Sequence, residues 1–160
     1  MTFSPALMLG GTANVEKIVV KASLGNTASP CVTNTGVIAL GSILGTITLS
    51  IAGHANDCAT IFSGTAITPA VAKFKMTWTS PAGANPTLWT QAPSFKFKGA
   101  PSLAKINVTL GHVSGSFSPS PGTASLSDTN WPGASGAVAT GCTASSGLGS
   151  LTLSTSKGKW

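Results

Sequence analysis

The chain has 160 residues, a formal charge of +6 and only 8% charged residues; Arg and Tyr are absent, the acids number three, and Gly, Ala, Ser and Thr dominate. A hydrophobic content of 42% excludes a chain too polar to fold. The lack of Arg, the residue that pairs with guanine in bidentate fashion, argues against sequence-specific nucleic-acid binding.

The length suits one domain covering 1–160. Met1 is followed at once by Thr2-Phe3-Ser4-Pro5, with no basic stretch and no apolar run of the kind that opens a signal peptide. The composition is nevertheless that of an exported protein. The expectation is that a signal peptide and a first strand lie upstream of Met1.

Strands are predicted over 13–24, 44–51, 59–68, 72–79, 94–98, 105–110, 112–117 and 149–154. The period-2 signal is clearest in Ala72-Lys73-Phe74-Lys75-Met76-Thr77-Trp78-Thr79. There, Phe74, Met76 and Trp78 are expected to face a core and Lys73, Lys75 and Thr77 to face solvent. Turn signals separate the strands at 25–26, 28–30, 53–57, 81–86, 119–122 and 131–133. The stretch 119–150, rich in Gly, Ser and Ala, reads as the loosest part. No segment carries a 3.6-residue apolar period with caps. The most apolar region, 36–51, is too short for a membrane span and is cut by Gly41 and Gly45. These features predict an all-β fold, an antiparallel β-sandwich or partly closed barrel.

All nine cations are Lys: Lys17, Lys21, Lys73, Lys75, Lys96, Lys98, Lys105, Lys157 and Lys159. Their alternation places them on solvent faces of strands, where they also oppose edge-to-edge pairing. The functional alternative is attraction to an anionic surface or polymer.

Three cysteines leave an odd count, and neither a CxxC unit nor zinc-finger spacing is present. In an exported protein this predicts one bridge and one leftover thiol. Cys31 and Cys58 each follow a predicted strand, and a hairpin would bring both to the same end. The expected bridge is Cys31–Cys58, with Cys142 free.

The groups available for catalysis are Glu16, Asp57, Asp128, His54 and His112. Paired carboxylates for glycoside hydrolysis are scarce, no calcium or phosphate loop is present, and no Gly-x-Ser-x-Gly elbow marks a nucleophile. His54 and Asp57 lie close together in Gly53-His54-Ala55-Asn56-Asp57-Cys58. They form either a His–Asp pair or a polar turn with local backbone bonds, and the turn is the favoured reading. His112 reads as a rim residue. Among the four Trp, Trp78 belongs to the core face, while Trp89, Trp131 and Trp160 lie near turns or the end of the chain. Trp89 and Trp131 are possible ligand contacts, able to stack on sugar rings; the competing reading is that they close the open ends of the fold.

Several short strings occur in a familiar order: Thr2-Phe3-Ser4-Pro5-Ala6-Leu7, Ser29-Pro30-Cys31, Cys58, Met76-Thr77-Trp78 before Pro81-Ala82-Gly83, and Cys142 before Gly149-Ser150-Leu151-Thr152-Leu153. This order resembles a group of small secreted actinobacterial β-proteins that open with a cysteine-bearing strand. The resemblance implies export and a disulfide-containing β-fold. It also implies that the partner of Cys142 lies upstream of Met1.

The expected function is therefore a secreted, non-catalytic structural or interaction module at the cell surface, with no cofactor or metal. Its expected partners are protein, glycan or anionic surface polymers. The alternatives are a carbohydrate- or wall-polymer-binding module, a subunit of a virion or extracellular appendage, and, last, a small hydrolase using His54 and Asp57.

Overall fold

The computed structural model describes residues 1–33, 35–89, 95–98, 105–109, 113–117, 123–128, 131–153 and 155–159. Within 95–98, 105–109, 123–128, 131–135 and 155–159, and at Val113, it describes the backbone alone. In chain order the elements are β1 (Thr2–Leu7), β2 (Val15–Leu24), β3 (Cys31–Val32), β4 (Ile38–Ser50), α1 (Cys58–Ile61), β5 (Val71–Ser80), β6 (Thr87–Trp89), β7 (Phe95–Lys98), β8 (Lys105–Thr109), β9 (Val113–Ser114), β10 (Thr123–Asp128), α2 (Trp131–Thr143), β11 (Leu148–Ser150) and β12 (Thr155–Lys159). The strands form two sheets. The larger runs β11-β1-β2-β4-β5-β6-β9, with β3 added to β4, and the smaller runs β12-β10-β8-β7. The paired strands are antiparallel, so the fold is all-β and antiparallel. Among the described residues, no helix is long and apolar enough to cross a membrane.

The centre of the larger sheet is the meander β2-β4-β5. Val15 to Leu24 pair residue by residue with Ser50 to Gly41, and Gly41 to Thr48 pair with Trp78 to Val71. This register fixes the faces. Glu16, Ile18, Ile47, Leu49, Ala72, Met76 and Trp78 are buried on one side. Lys73, Lys75 and Thr77 are exposed on the other, as period-2 pleating requires. Phe74 is half-buried because its ring lies across Gly45, where an added Cβ would stand 2.3 Å from the ring. A glycine is needed at that point, and the Gly in the apolar stretch 36–51 thus serves packing within β4.

Two clusters fill the inner face. One joins Phe3, Leu7, Ile18, Ile47, Leu49 and Ala72 of the sheet to Ile61, Phe62 and Ile67 of the segment after β4, and to Cys142, Leu148 and Leu151. The other gathers Leu24, Ala39, Met76, Trp78 and Trp89, with Phe117 and the half-buried Cys31 against it. In this second cluster Trp78 meets Phe117 edge-on with centroids 5.0 Å apart, and Phe74 meets Trp89 edge-on at 6.5 Å. The Trp78 indole N–H donates to Thr87 Oγ1 at 2.8 Å, and the Thr87 hydroxyl donates to the Ser116 carbonyl. The indole is thereby buried with its polar atom satisfied.

The disulfide is Cys58–Cys142, with Cα atoms 6.1 Å apart, and Cys31 is the free thiol. The expected Cys31–Cys58 bridge is therefore wrong, and the reason is the length of β4. Cys31 pairs with Ala39 near the start of that strand. Cys58 follows its far end at Ser50. The eleven residue-to-residue steps from Ala39 to Ser50 span about 36 Å of extended chain. A short hairpin would have brought the two thiols together; one 13-residue strand keeps them apart.

Two further expectations are corrected. The predicted strand over 59–68 begins instead as the short helix α1. The stretch 119–150 holds β10 and the 13-residue helix α2. Gly and Ala leave α2 without an apolar stripe to read from sequence. Its last turn is held by two tertiary contacts, the disulfide and Gly141 packed under Leu148, and within the helix by Thr143 Oγ1 donating to the Ala139 carbonyl at 3.0 Å.

Candidate functional site

The segment 53–58 is a hub that ties three parts of the chain. Asp57 caps α1: its Oδ1 accepts from Gly10 N–H at 2.9 Å and Ala59 N–H at 3.3 Å. Its Oδ2 accepts from Thr60 N–H at 3.0 Å and the Thr60 hydroxyl at 2.9 Å. Burial alone would raise this carboxyl's pKa. The Thr60 hydroxyl and the backbone N–H groups of Gly10, Thr60 and Ala59 outweigh it and hold the pKa below the ordinary value. Asn56 is buried beside it, with Oδ1 accepting from Ala13 N–H at 2.8 Å and Nδ2 donating to the Ala6 carbonyl at 3.1 Å. Met8 N–H donates to the Asn56 carbonyl and Cys58 N–H to the Met8 carbonyl. Leu9 N–H donates to the carbonyl of Cys142, so the disulfide and the hub close on the same loop.

His54 is exposed. Both Asp57 oxygens are occupied by donors from Gly10, Ala59 and Thr60, so the carboxylate acts as a helix cap and loop anchor; the expected local bonds form at Asp57, whereas those of Asn56 run instead to distant Ala6 and Ala13. Beside it runs an open groove of about 590 Å³ lined by Ile51, Thr60, Ser63, Thr65, Ile67 and Thr68. Among the described residues, Asp57 is the one ionisable group in its wall. Among the described residues, no three His, Cys, Asp or Glu side chains cluster as metal ligands.

Glu16 is the other acid in the core. It is fully buried, with Oε1 accepting from Ser4 N–H at 2.7 Å and Oε2 without a hydrogen-bond partner among the described residues. Desolvation pushes its pKa up to about 7, against the lowering effect of the Ser4 bond. It sits on β2 opposite Leu49, among aliphatic side chains. Its position on a predicted strand was legible, but its inward direction was not.

Trp89, read as a possible ligand contact, is 5% exposed and packs against Phe74. This corrects that expectation: β6 pairs with β5 and turns the indole to the inner face. Trp131 begins α2, and only its backbone is described; the same holds for Asp128 on β10. His112 and Trp160 lie outside the described residues.

The outer face of the larger sheet carries a different constellation. One cross-strand row reads Lys21, Leu44, Lys75, Leu88; the next reads Val19, Thr46, Lys73; the next Lys17, Thr48, Val71. Leu44 is 53% exposed, Val71 47% and Leu88 40%, and all four lysines are exposed. The three acids are elsewhere: Glu16 faces inward on β2, Asp57 caps α1, and Asp128 is on β10 of the smaller sheet. Sequence reading placed each lysine on a solvent face. It missed that the four share one face of three adjacent strands. The available signal was parity: Lys17 and Lys21 are four apart, Lys73 and Lys75 two apart, and each pair opposes apolar neighbours.

Compared with known proteins, the chain matches no protein-family model, no curated protein and no solved structure.

Proposed function

We propose that the chain is a secreted, non-catalytic interaction module that works at a cell surface through the outer face of its larger sheet. The observation that carries this reading is the grouping of Lys17, Lys21, Lys73 and Lys75 with exposed Leu44, Val71 and Leu88 on a face that, among the described residues, has no acidic side chain. A contiguous exposed surface of cations and aliphatic residues favours a partner over bulk water. The disulfide supports an oxidising compartment. The resemblance to small secreted actinobacterial β-proteins points to the same compartment, although the partner it implies for Cys142 upstream of Met1 is overturned by the Cys58–Cys142 bridge. Catalysis through His54 and Asp57 loses its support, because donors within the fold already occupy both Asp57 oxygens.

The test is retention of the full chain on washed cell-envelope particles from the organism that makes it. Leu44→Glu and Thr46→Glu, on the outer face, should each abolish retention. Thr65→Glu, at the groove, should leave it intact. Equal retention of all three variants would overturn the reading.

A further inference from the structure

Resting on the reading of the lysine face as the working surface, we infer that its occupant is a linear polymer of polyol or sugar units joined by phosphodiesters, lying across β2, β4 and β5. Charge sets the sign of the partner: four ammonium groups face outward with no acidic side chain among them in the described residues. Spacing sets the density of its charge. Lys73 and Lys75 are two residues apart on one strand, about 7 Å. Lys21 and Lys75 share a row across β4, about 10 Å apart, and Lys17 and Lys73 lie diagonally at about 12 Å. These intervals are far wider than the one charge per roughly 1.7 Å of duplex DNA. They fit single charges separated by neutral units.

The residues between the lysines fit those neutral units. Thr46 and Thr48 offer hydroxyls along β4, and Leu44, Val71 and Leu88 offer aliphatic surface. The aromatic rings Phe74, Trp78 and Trp89 are turned to the other face, so among the described residues this surface offers no ring on which bases stack. Lys meets phosphate as a point charge, and the chain lacks Arg, whose planar fork grips carboxylate and phosphate alike in bidentate fashion. Shape separates a polymer from a bilayer. Neighbouring strands are rotated by about 20–25°, so β2 and β5 differ by roughly 45°. A flexible chain follows that twist, and a flat membrane does not.

The probe is a synthetic glycerol-phosphate oligomer titrated into the full chain. Four phosphate contacts predict an affinity that falls roughly 50-fold between 50 mM and 200 mM salt. Removing the face charges in K17Q/K21Q/K73Q/K75Q should abolish measurable binding. Removing the same net charge in K96Q/K98Q/K157Q/K159Q, on strands of the smaller sheet, should cost far less. Equal losses in the two variants would mean that net charge alone binds, and would overturn the inference. A retained thermal transition checks that both variants fold. Independently of any variant, amide shifts in the wild-type chain should move at Lys21, Thr46, Lys73 and Lys75; shifts confined to other residues would overturn the inference. Tighter binding to phosphatidylglycerol vesicles than to the oligomer would assign the face to a membrane instead. If the oligomer fails to bind while Thr46→Glu still abolishes envelope retention, the polymer is wrong and the interaction reading stands. If retention also survives Thr46→Glu, both fall.

Discussion

The two ends of the larger sheet are held together by different physics. At the end where β4 leaves the sheet, Asn56 and Asp57 reach back to Ala6, Gly10 and Ala13, and Cys58 is bonded to Cys142. At the other end, Trp78, Trp89, Phe74 and Phe117 meet edge to face, and one indole bond to Thr87 orders the group. Cys31 lies at that end without a partner thiol. The first end joins segments distant in sequence by covalent and polar links, which are directional and leave a loop little freedom. The second is bonded by area, which tolerates changes of shape but not of volume. A small chain with few charges therefore concentrates two of its acids where hydrogen bonding or burial decides their state.

The largest effect should come from breaking the covalent link. The bridge closes a loop of 84 residues, and Cys58→Ser/Cys142→Ser should cost about 4.5 kcal/mol in the chain-entropy model. Cys31→Ser should leave the denaturation midpoint close to wild type. A large loss with Cys31→Ser and none with the double variant would reverse the assignment of the two ends.

At the aromatic end, Trp78→Ala should cost about 3–5 kcal/mol through the cavity it leaves. Lys75→Ala, one strand position class away on the outer face, should stay within about 0.5 kcal/mol. Denaturant titration of both measures the register directly, since a one-residue slip would exchange the two results.

A smaller effect is expected at the hub. Asp57→Ala removes the cap of α1 and the anchor of Gly10, for a loss of about 2 kcal/mol. His54→Ala should stay within about 0.5 kcal/mol. Similar losses in both would mean that the exposed imidazole supports the fold after all. Asp57 has its pKa lowered in the folded state. The stability it contributes is present above the ordinary carboxylate range and is lost as pH falls through its lowered value.

The subtlest prediction concerns Glu16, whose sign is opposite. Its folded pKa is raised from 4.5 to about 7. The folded chain holds a proton there that the unfolded chain has released. The stability linked to that proton is complete below about 4.5 and is lost as pH rises through about 7. Unfolding curves across this range should show stability declining towards neutral pH in the wild type. Glu16→Gln, which mimics the protonated form, should flatten the decline. An unchanged slope would show that Glu16 stays ionised in the folded state.

Much of the sheet was readable because pleating writes itself into sequence. Lys73 to Trp78 alternate strictly, and the structure buries Met76 and Trp78 while exposing Lys73 and Lys75. The hub was half-readable. Asn and Asp beside a cysteine mark a turn, but their partners at Ala6, Gly10 and Ala13 lie more than 40 residues away. Trp89 was misplaced because a three-residue strand is too short to show a period. In α2, Gly and Ala carry no stripe, although Trp131-Pro132 resembles a helix start and Gly147, at a φ of 70° or so, follows its end.

The sequence by itself determined the all-β class, the inward face of β5 and the presence of a disulfide, because these depend on local alternation, composition and cysteine count. The tertiary structure alone decided which cysteines meet, which way Glu16 and Trp89 point, and that four lysines share one face. Each of those depends on how far a strand runs and on which strand lies beside it. A chain's local pattern holds no measure of either: at Gly41 and Gly45, β4 runs on between β2 and β5, with Thr77 and Phe74 packed close against it.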